Sequence, residues 1–152
     1  MYANIASHYW NNVYVRGANN NINLQYGAYG WESWKATQND DGSWCIQNKQ
    51  WGYYLSLDPQ GCNAFNGNGC GSVSPQSSCG ANEKFDVVQN SENPAKFGLR
   101  SRVSPHLFLR LAGSSTTSFN GNGSGFVNAQ YYSDNTKPDN YENLQMMKTA
   151  DC

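Results

Sequence analysis

The feature that most constrains this chain of 152 residues is that it repeats itself three times. Three segments read a Glu, a gap, then two apolar residues in alternation. They are Trp31-Glu32-Ser33-Trp34-Lys35-Ala36, Asn82-Glu83-Lys84-Phe85-Asp86-Val87 and Tyr141-Glu142-Asn143-Leu144-Gln145-Met146. Upstream of each lies an aromatic-aliphatic pair, Tyr14-Val15, Tyr54-Leu55 and Phe108-Leu109, and further upstream an apolar residue, Ile5, Ile46 or Leu99. Between these markers comes a further strand signal ending in Gln: Ile22-Asn23-Leu24-Gln25, Val73-Ser74-Pro75-Gln76 and Val127-Asn128-Ala129-Gln130. The second and third units share a loop, Phe65-Asn66-Gly67-Asn68-Gly69-Cys70-Gly71 and Phe119-Asn120-Gly121-Asn122-Gly123-Ser124-Gly125, where unit one has only Asn19-Asn20-Asn21.

Each unit supplies four short strands, and the units run over about 2–43, 44–94 and 95–152. Turn-forming runs such as Asn39-Asp40-Asp41-Gly42 separate them. Twelve short strands are expected to close on themselves, because closure removes unpaired sheet edges. Period-two alternation predicts the inward face. The equivalent core sets are Ile5, Ile46 and Leu99; Val15, Leu55 and Leu109; Trp34, Phe85 and Leu144; and Ala36, Val87 and Met146. In the last two sets a larger residue in one is expected to be offset by a smaller one in the other.

Charged residues make up 14% of the chain and the formal net charge is −1, which argues against an electrostatic hold on nucleic acid. No apolar run is long enough to span or insert into a bilayer. No apolar leader opens the chain, and Met1 is either the native start or a residue in place of a removed leader. Of the five cysteines, Cys62, Cys70 and Cys79 crowd one Gly-rich segment, while Cys45 and Cys152 lie apart. The spacing lacks the Cys-x-x-Cys pairs of a zinc site, so no metal is expected. A bridge within the cluster is expected, with Cys70 facing Cys62 across a hairpin and Cys79 as the competing partner. It implies secretion into an oxidising compartment, against a cytoplasmic protein with free thiols as the alternative. Cys152 is a tail thiol or an intermolecular link.

The run of apolar-Asn-Ala-Gln, a loop, then Glu-x-aromatic-x-aliphatic resembles the fascin-like branch of the β-trefoil proteins, as does Tyr53-Tyr54-Leu55-Ser56. The resemblance covers the whole chain, unit by unit, and implies an all-β trefoil fold. The lectin branch with a Gln-x-Trp signature is its neighbour, but no Trp stands two positions after Gln25, Gln76 or Gln130. The superfamily includes lectins, actin-bundling proteins, protease inhibitors and growth factors. A lone trefoil with few charges and disulfides looks most like a small lectin. The alternatives are an actin-binding or other protein-binding module, and a protease inhibitor acting through one long loop.

A lectin reading points to the two Asn-Gly-Asn-Gly loops. Asn amides match sugar hydroxyls, and a flat ring buries the C–H face of a sugar. The candidate carbohydrate-binding residues are Asn66, Asn68, Asn120 and Asn122, with Tyr131 and Tyr132 as platforms beside the unit-three loop. Ser77 and Ser78 stand at the comparable place in unit two. Tyr26, Tyr29 and Trp31 form a second candidate platform. Asn-Gly is also an ordinary turn dipeptide, so a purely structural loop competes with this reading. Glu32, Glu83 and Glu142 recur with the repeat, which suits a structural acceptor of backbone N–H groups better than a unique catalytic pair. No enzyme activity and no cofactor are expected. The expected partners are glycans or glycoproteins, with a homo-oligomer as one route to avidity. Mass measurement without reductant is expected to find at least one bridge, and five free thiols would overturn the bridge and the secreted assignment together.

Overall fold

The computed structural model describes residues 2–148, the last three by backbone alone. The twelve expected strands are present: β1 (Tyr2–Ser7), β2 (Val13–Gly17), β3 (Ile22–Tyr26), β4 (Trp34–Gln38), β5 (Trp44–Asn48), β6 (Tyr54–Asp58), β7 (Ser72–Gln76), β8 (Lys84–Gln89), β9 (Phe97–Ser101), β10 (Leu107–Ala112), β11 (Phe126–Tyr131) and β12 (Leu144–Lys148). The fourth strand of every unit is preceded by one 3₁₀ turn, at Gly30–Glu32, Ala81–Glu83 and Asn140–Glu142.

The pairings explain why a chain of such short strands leaves so little edge. β12, β1, β4, β5, β8 and β9 pair antiparallel in that order, and β9 pairs back to β12, which closes a six-stranded ring. The second and third strands of each unit form the hairpins β2–β3, β6–β7 and β10–β11, attached through β1–β2, β5–β6 and β9–β10. This three-fold arrangement of a barrel and three hairpins is the β-trefoil.

The period-two pattern fills the middle. Ile5, Ile46, Leu99, Val15, Leu55, Leu109, Trp34, Phe85 and Leu144 are all buried and belong to one cluster. Trp34 satisfies its one polar atom by donating Nε1 to Val15 O at 3.1 Å. Val87 departs from expectation, because it is exposed. Burial along β8 stops after Phe85, although Leu99, the partner of Val87 across the β8–β9 hairpin, is buried. The size compensation read from Phe85 and Val87 therefore does not operate in unit two. The Met146 side chain and Cys152 lie outside the described residues.

Two disulfides brace unit two. Cys62 pairs with Cys70, Cα to Cα 5.7 Å, and Cys79 pairs with Cys45, Cα to Cα 6.2 Å. Unit three replaces the first with a hydrogen bond between the equivalent residues, Ser124 Oγ donating to Thr116 Oγ1 at 3.0 Å.

The repeated loop binds to its neighbouring unit. The unit-three loop lies along β3 of unit one. Gln25 Nε2 donates to Asn120 O at 2.6 Å, and Gln25 Oε1 accepts from Asn120 N at 3.2 Å. Asn23 Nδ2 donates to Asn122 O, and Leu24 exchanges backbone hydrogen bonds with Ser124. The unit-two loop lies along β11 in the same way, through Gln130 on Asn66, Asn128 on Asn68 and Ala129 with Cys70. Both glutamines are buried and fully engaged. Unit one has no loop to lay on β7, so Gln76 is exposed. The position equivalent to Leu24 and Ala129 is there Pro75, which has no N–H to leave unpaired.

The glycines in these loops have two different reasons. Gly69 and Gly123 sit at φ +74° and +69°, and a Cβ on either would stand 2.6 Å from the carbonyl of Ala129 or Leu24. Gly67 and Gly121 have neither constraint, since nothing lies within 4 Å of a Cβ there and their φ is not positive. Gly123→Ala is therefore expected to cost about 1–3 kcal/mol, and Gly121→Ala less than about 0.5 kcal/mol. Urea denaturation of the two variants checks the contrast.

Candidate functional site

Where each loop crosses to its neighbour, it walls a cleft against that neighbour's 3₁₀ turn. Cleft one, of about 350 Å³, lies between unit three and unit one and is lined by Phe119 and Gly121 of the loop, facing Tyr29, Gly30 and Trp31. Cleft two, of about 260 Å³, lies within the reach of the unit-two loop and is lined by Phe65 and Gly67, facing Asn140 and Tyr141. The two have one design. A ring from the loop leans on a tyrosine, Phe119 on Tyr29 at 5.3 Å and Phe65 on Tyr132 at 5.9 Å between centroids. Phe119, Tyr29 and Phe65 are 59%, 62% and 64% exposed, large areas of ring left in water.

The floors also match. Buried Arg16 reaches the loop carbonyls of Asn122 and Gly121 at 3.1 and 3.3 Å and stacks its guanidinium 4.8 Å from the Trp31 ring. Arg110 stacks 4.9 Å from the Tyr141 ring and pairs through Nε with Glu142 at 3.8 Å. Each arginine thus holds an aromatic wall upright by a cation–π contact. The Glu residues sit beneath. Glu32 and Glu83 accept the backbone N–H of Tyr29 and Gly80, each at 2.8 Å, which is the structural role expected of them. Glu142 also accepts the Tyr132 hydroxyl. In unit two the arginine position is Ser56, whose Oγ donates to Glu83 at 2.5 Å, and no loop crosses there.

Burial raises the Glu32 pKa, against the pull of the Tyr29 N–H and of Arg16. Burial pushes Glu142 further, up to about 7, with the Tyr132 hydroxyl and Arg110 pulling it down. Burial, then the Glu142 carboxylate, raise the Tyr132 hydroxyl as well.

The structure regroups the residues singled out in the sequence. Tyr29 and Trp31 do not form a platform apart from the loops. They face the unit-three loop and make one cleft with it. Tyr132 follows the unit-three loop in sequence but stands against Phe65 of the unit-two loop. Tyr131 stacks on His106 at 5.2 Å. Tyr26 lines a separate, polar cleft with His8 and Trp10. Asn66 Oδ1 and Asn120 Oδ1 accept from Asn68 N and Asn122 N, both at 2.9 Å, so these side chains close the loop's own turn. The Asn68 and Asn122 carbonyls face the neighbouring strand, and both residues are exposed. Phe65, Phe119, Arg16, Arg110 and Tyr141 carry the clefts, and of these only the two Phe were marked by the repeat as loop openers.

Because Glu142 has a higher pKa folded than unfolded, its protonated form favours the folded state. That contribution is fully present below about pH 4.5 and is lost as pH rises through about 7. The difference in melting temperature between the native chain and Glu142→Gln is expected to change across this window and to be flat below it, as read by calorimetry at a series of pH values.

No protein-family model and no curated protein matches the sequence. Solved structures match the whole length of the chain. A designed three-fold symmetric protein, ThreeFoil, superposes with TM-score 0.72 at 15% identity, over 97% of this chain and 99% of that one. A ricin B-like lectin of Macrolepiota procera in complex with lactose superposes with TM-score 0.70 at 12% identity, over 98% and 96%. A mosquitocidal holotoxin superposes with TM-score 0.71 at 13% identity, and there the chain covers 99% of itself but spans only 17% of the toxin. At such identities the likeness is one of fold, and the chain adopts the β-trefoil fold.

Proposed function

We propose that the chain binds neutral carbohydrate without catalysis, at the two clefts between units. The observation that carries this reading is a cleft built twice from the same parts: an exposed loop ring facing aromatic side chains, a buried arginine and glutamate beneath, and a glycine at the mouth that the backbone does not demand. A sugar presents C–H faces to rings and hydroxyls to amides and carbonyls, and both kinds of surface meet here. Tyr29, Trp31 and Phe119 form the platform of cleft one, and Phe65, Tyr132 and Tyr141 that of cleft two. Asn66, Asn68, Asn120 and Asn122 shape the loops and offer amides at the rim. The sugar-binding neighbours of the same fold support this reading. The two disulfides suit an oxidising, extracellular setting where glycans are displayed.

Each cleft is small, so single-site affinities are expected in the millimolar to micromolar range, about −4 to −8 kcal/mol. Presentation of both clefts on one multivalent glycan surface then raises the apparent affinity. The fascin-like strand pattern supports a second reading, a protein-binding module whose rings would take an apolar side chain. Free sugar distinguishes the two, since it competes with a glycan and leaves a protein partner bound.

Gly121→Trp fills the mouth of cleft one and Gly67→Trp that of cleft two. On a glycan array each variant is expected to keep part of the binding, and the double variant is expected to keep none. Asn120→Ala with Asn122→Ala is expected to weaken cleft one alone. Undiminished binding by the double tryptophan variant would move the site elsewhere.

A further inference from the structure

Unit three carries an insertion that the other units lack. Seven positions separate Gln25 from Glu32 and Gln76 from Glu83, but twelve separate Gln130 from Glu142. The trefoil closes without these five extra residues in two units out of three, so the fold does not require them. They are nevertheless fixed. Buried Asn90 donates Nδ2 to Pro138 O at 2.9 Å, Ser91 N donates to Thr136 O at 3.1 Å, and Arg100 donates to Asn135 O at 3.1 Å. Lys137 Nζ meets Glu92 at 2.9 Å.

The fixed insertion walls a second cavity of about 440 Å³ against the turn between β8 and β9. Tyr132, Asp139 and Asn140 line this cavity and cleft two alike, so the two adjoin across these three residues. Unit one has no such insertion beside cleft one, since only three residues separate Tyr26 from its 3₁₀ turn at Gly30.

Resting on the carbohydrate reading of cleft two, we infer that cleft two and the insertion groove together form an extended site for a neutral oligosaccharide, whereas cleft one receives a single sugar residue. One residue stacks among Phe65, Tyr132 and Tyr141, and the next lies along the insertion. The groove offers carboxylates and amides as acceptors and donors, from Asp134, Asp139, Asn93 and Asn140. These fit sugar hydroxyls. Its lysines do not make it a receptor for acidic sugars. Lys137 is paired with Glu92, and Asp134, held ionised by the Thr136 hydroxyl and N–H, and Asp139 oppose the charge of Lys96.

The test uses the full, disulfide-intact chain carrying Gly121→Trp, so that cleft two alone is read. An array of neutral, sialylated and sulfated glycans selects the best neutral oligosaccharide. Calorimetric titration then compares it with its own terminal monosaccharide. The oligosaccharide is expected to bind at least tenfold tighter, and deletion of 133–137 is expected to close that gap. Ser133→Trp, which fills the groove from an exposed position, gives the same reading should the deletion fail to fold. A gap that survives both changes, or one below threefold at the outset, overturns the inference. Gain only from sialylated or sulfated glycans overturns the neutral assignment. Absence of binding to any sugar in the native chain overturns the carbohydrate reading, and this inference with it. Monosaccharide binding without a gain in length overturns the inference alone.

Discussion

Two buried side-chain amides hold the two crossing loops of this molecule in place. Gln25 and Gln130 each clamp the backbone of one loop residue, donating to its carbonyl and accepting from its N–H. A loop so held cannot slide along the strand beneath it, because a shift by one residue would leave a buried amide unsatisfied. The clamp fixes where the loop's second glycine must pass close to the neighbouring strand, and hence where its phenylalanine emerges. Both clefts follow from that placement. Their aromatic walls come from units distant in sequence, yet they stand at contact distance because the amide sets the register.

Much of the fold was legible in the sequence because it is written three times. Period-two alternation gave the strands, and agreement among units separated the inward positions from chance alternation. The reading failed at Val87, which alternation puts on the inward face and which is exposed although its partner Leu99 is buried. It also missed the pairing of Cys45 with Cys79, since the two are joined by barrel closure and not by sequence proximity. The candidate clefts were legible only in pieces for a similar reason. The loops and Tyr29 with Trp31 were visible as separate features, but only the crossing of a loop into the next unit brings them together. Tyr132 shows the limit plainly. It stands ten positions before Glu142 and Tyr29 three before Glu32, yet both lean on a loop phenylalanine. Chain length differs and spatial role converges, and spacing alone cannot reveal that.

The two clefts differ in what holds their loops at the base. One has a covalent Cys62–Cys70 link, the other a hydroxyl pair between Thr116 and Ser124 at the same place. A repeat that tolerates either solution indicates that the base needs closing, while the chemistry of closure is open to change. The floors vary in the same spirit, with an arginine under each cleft that a loop walls and a serine where no loop arrives.

That third seam has a consequence for the edge of the sheet. A strand whose outer edge lies bare is an invitation to another chain, and the two covered strands would extend that invitation if their loops were lifted away. On β7 the imino ring of Pro75 stands where a neighbour would look for its first donor. Among the described hairpins, the one left without a crossing loop thus presents a proline where a ladder to another chain would need a donor.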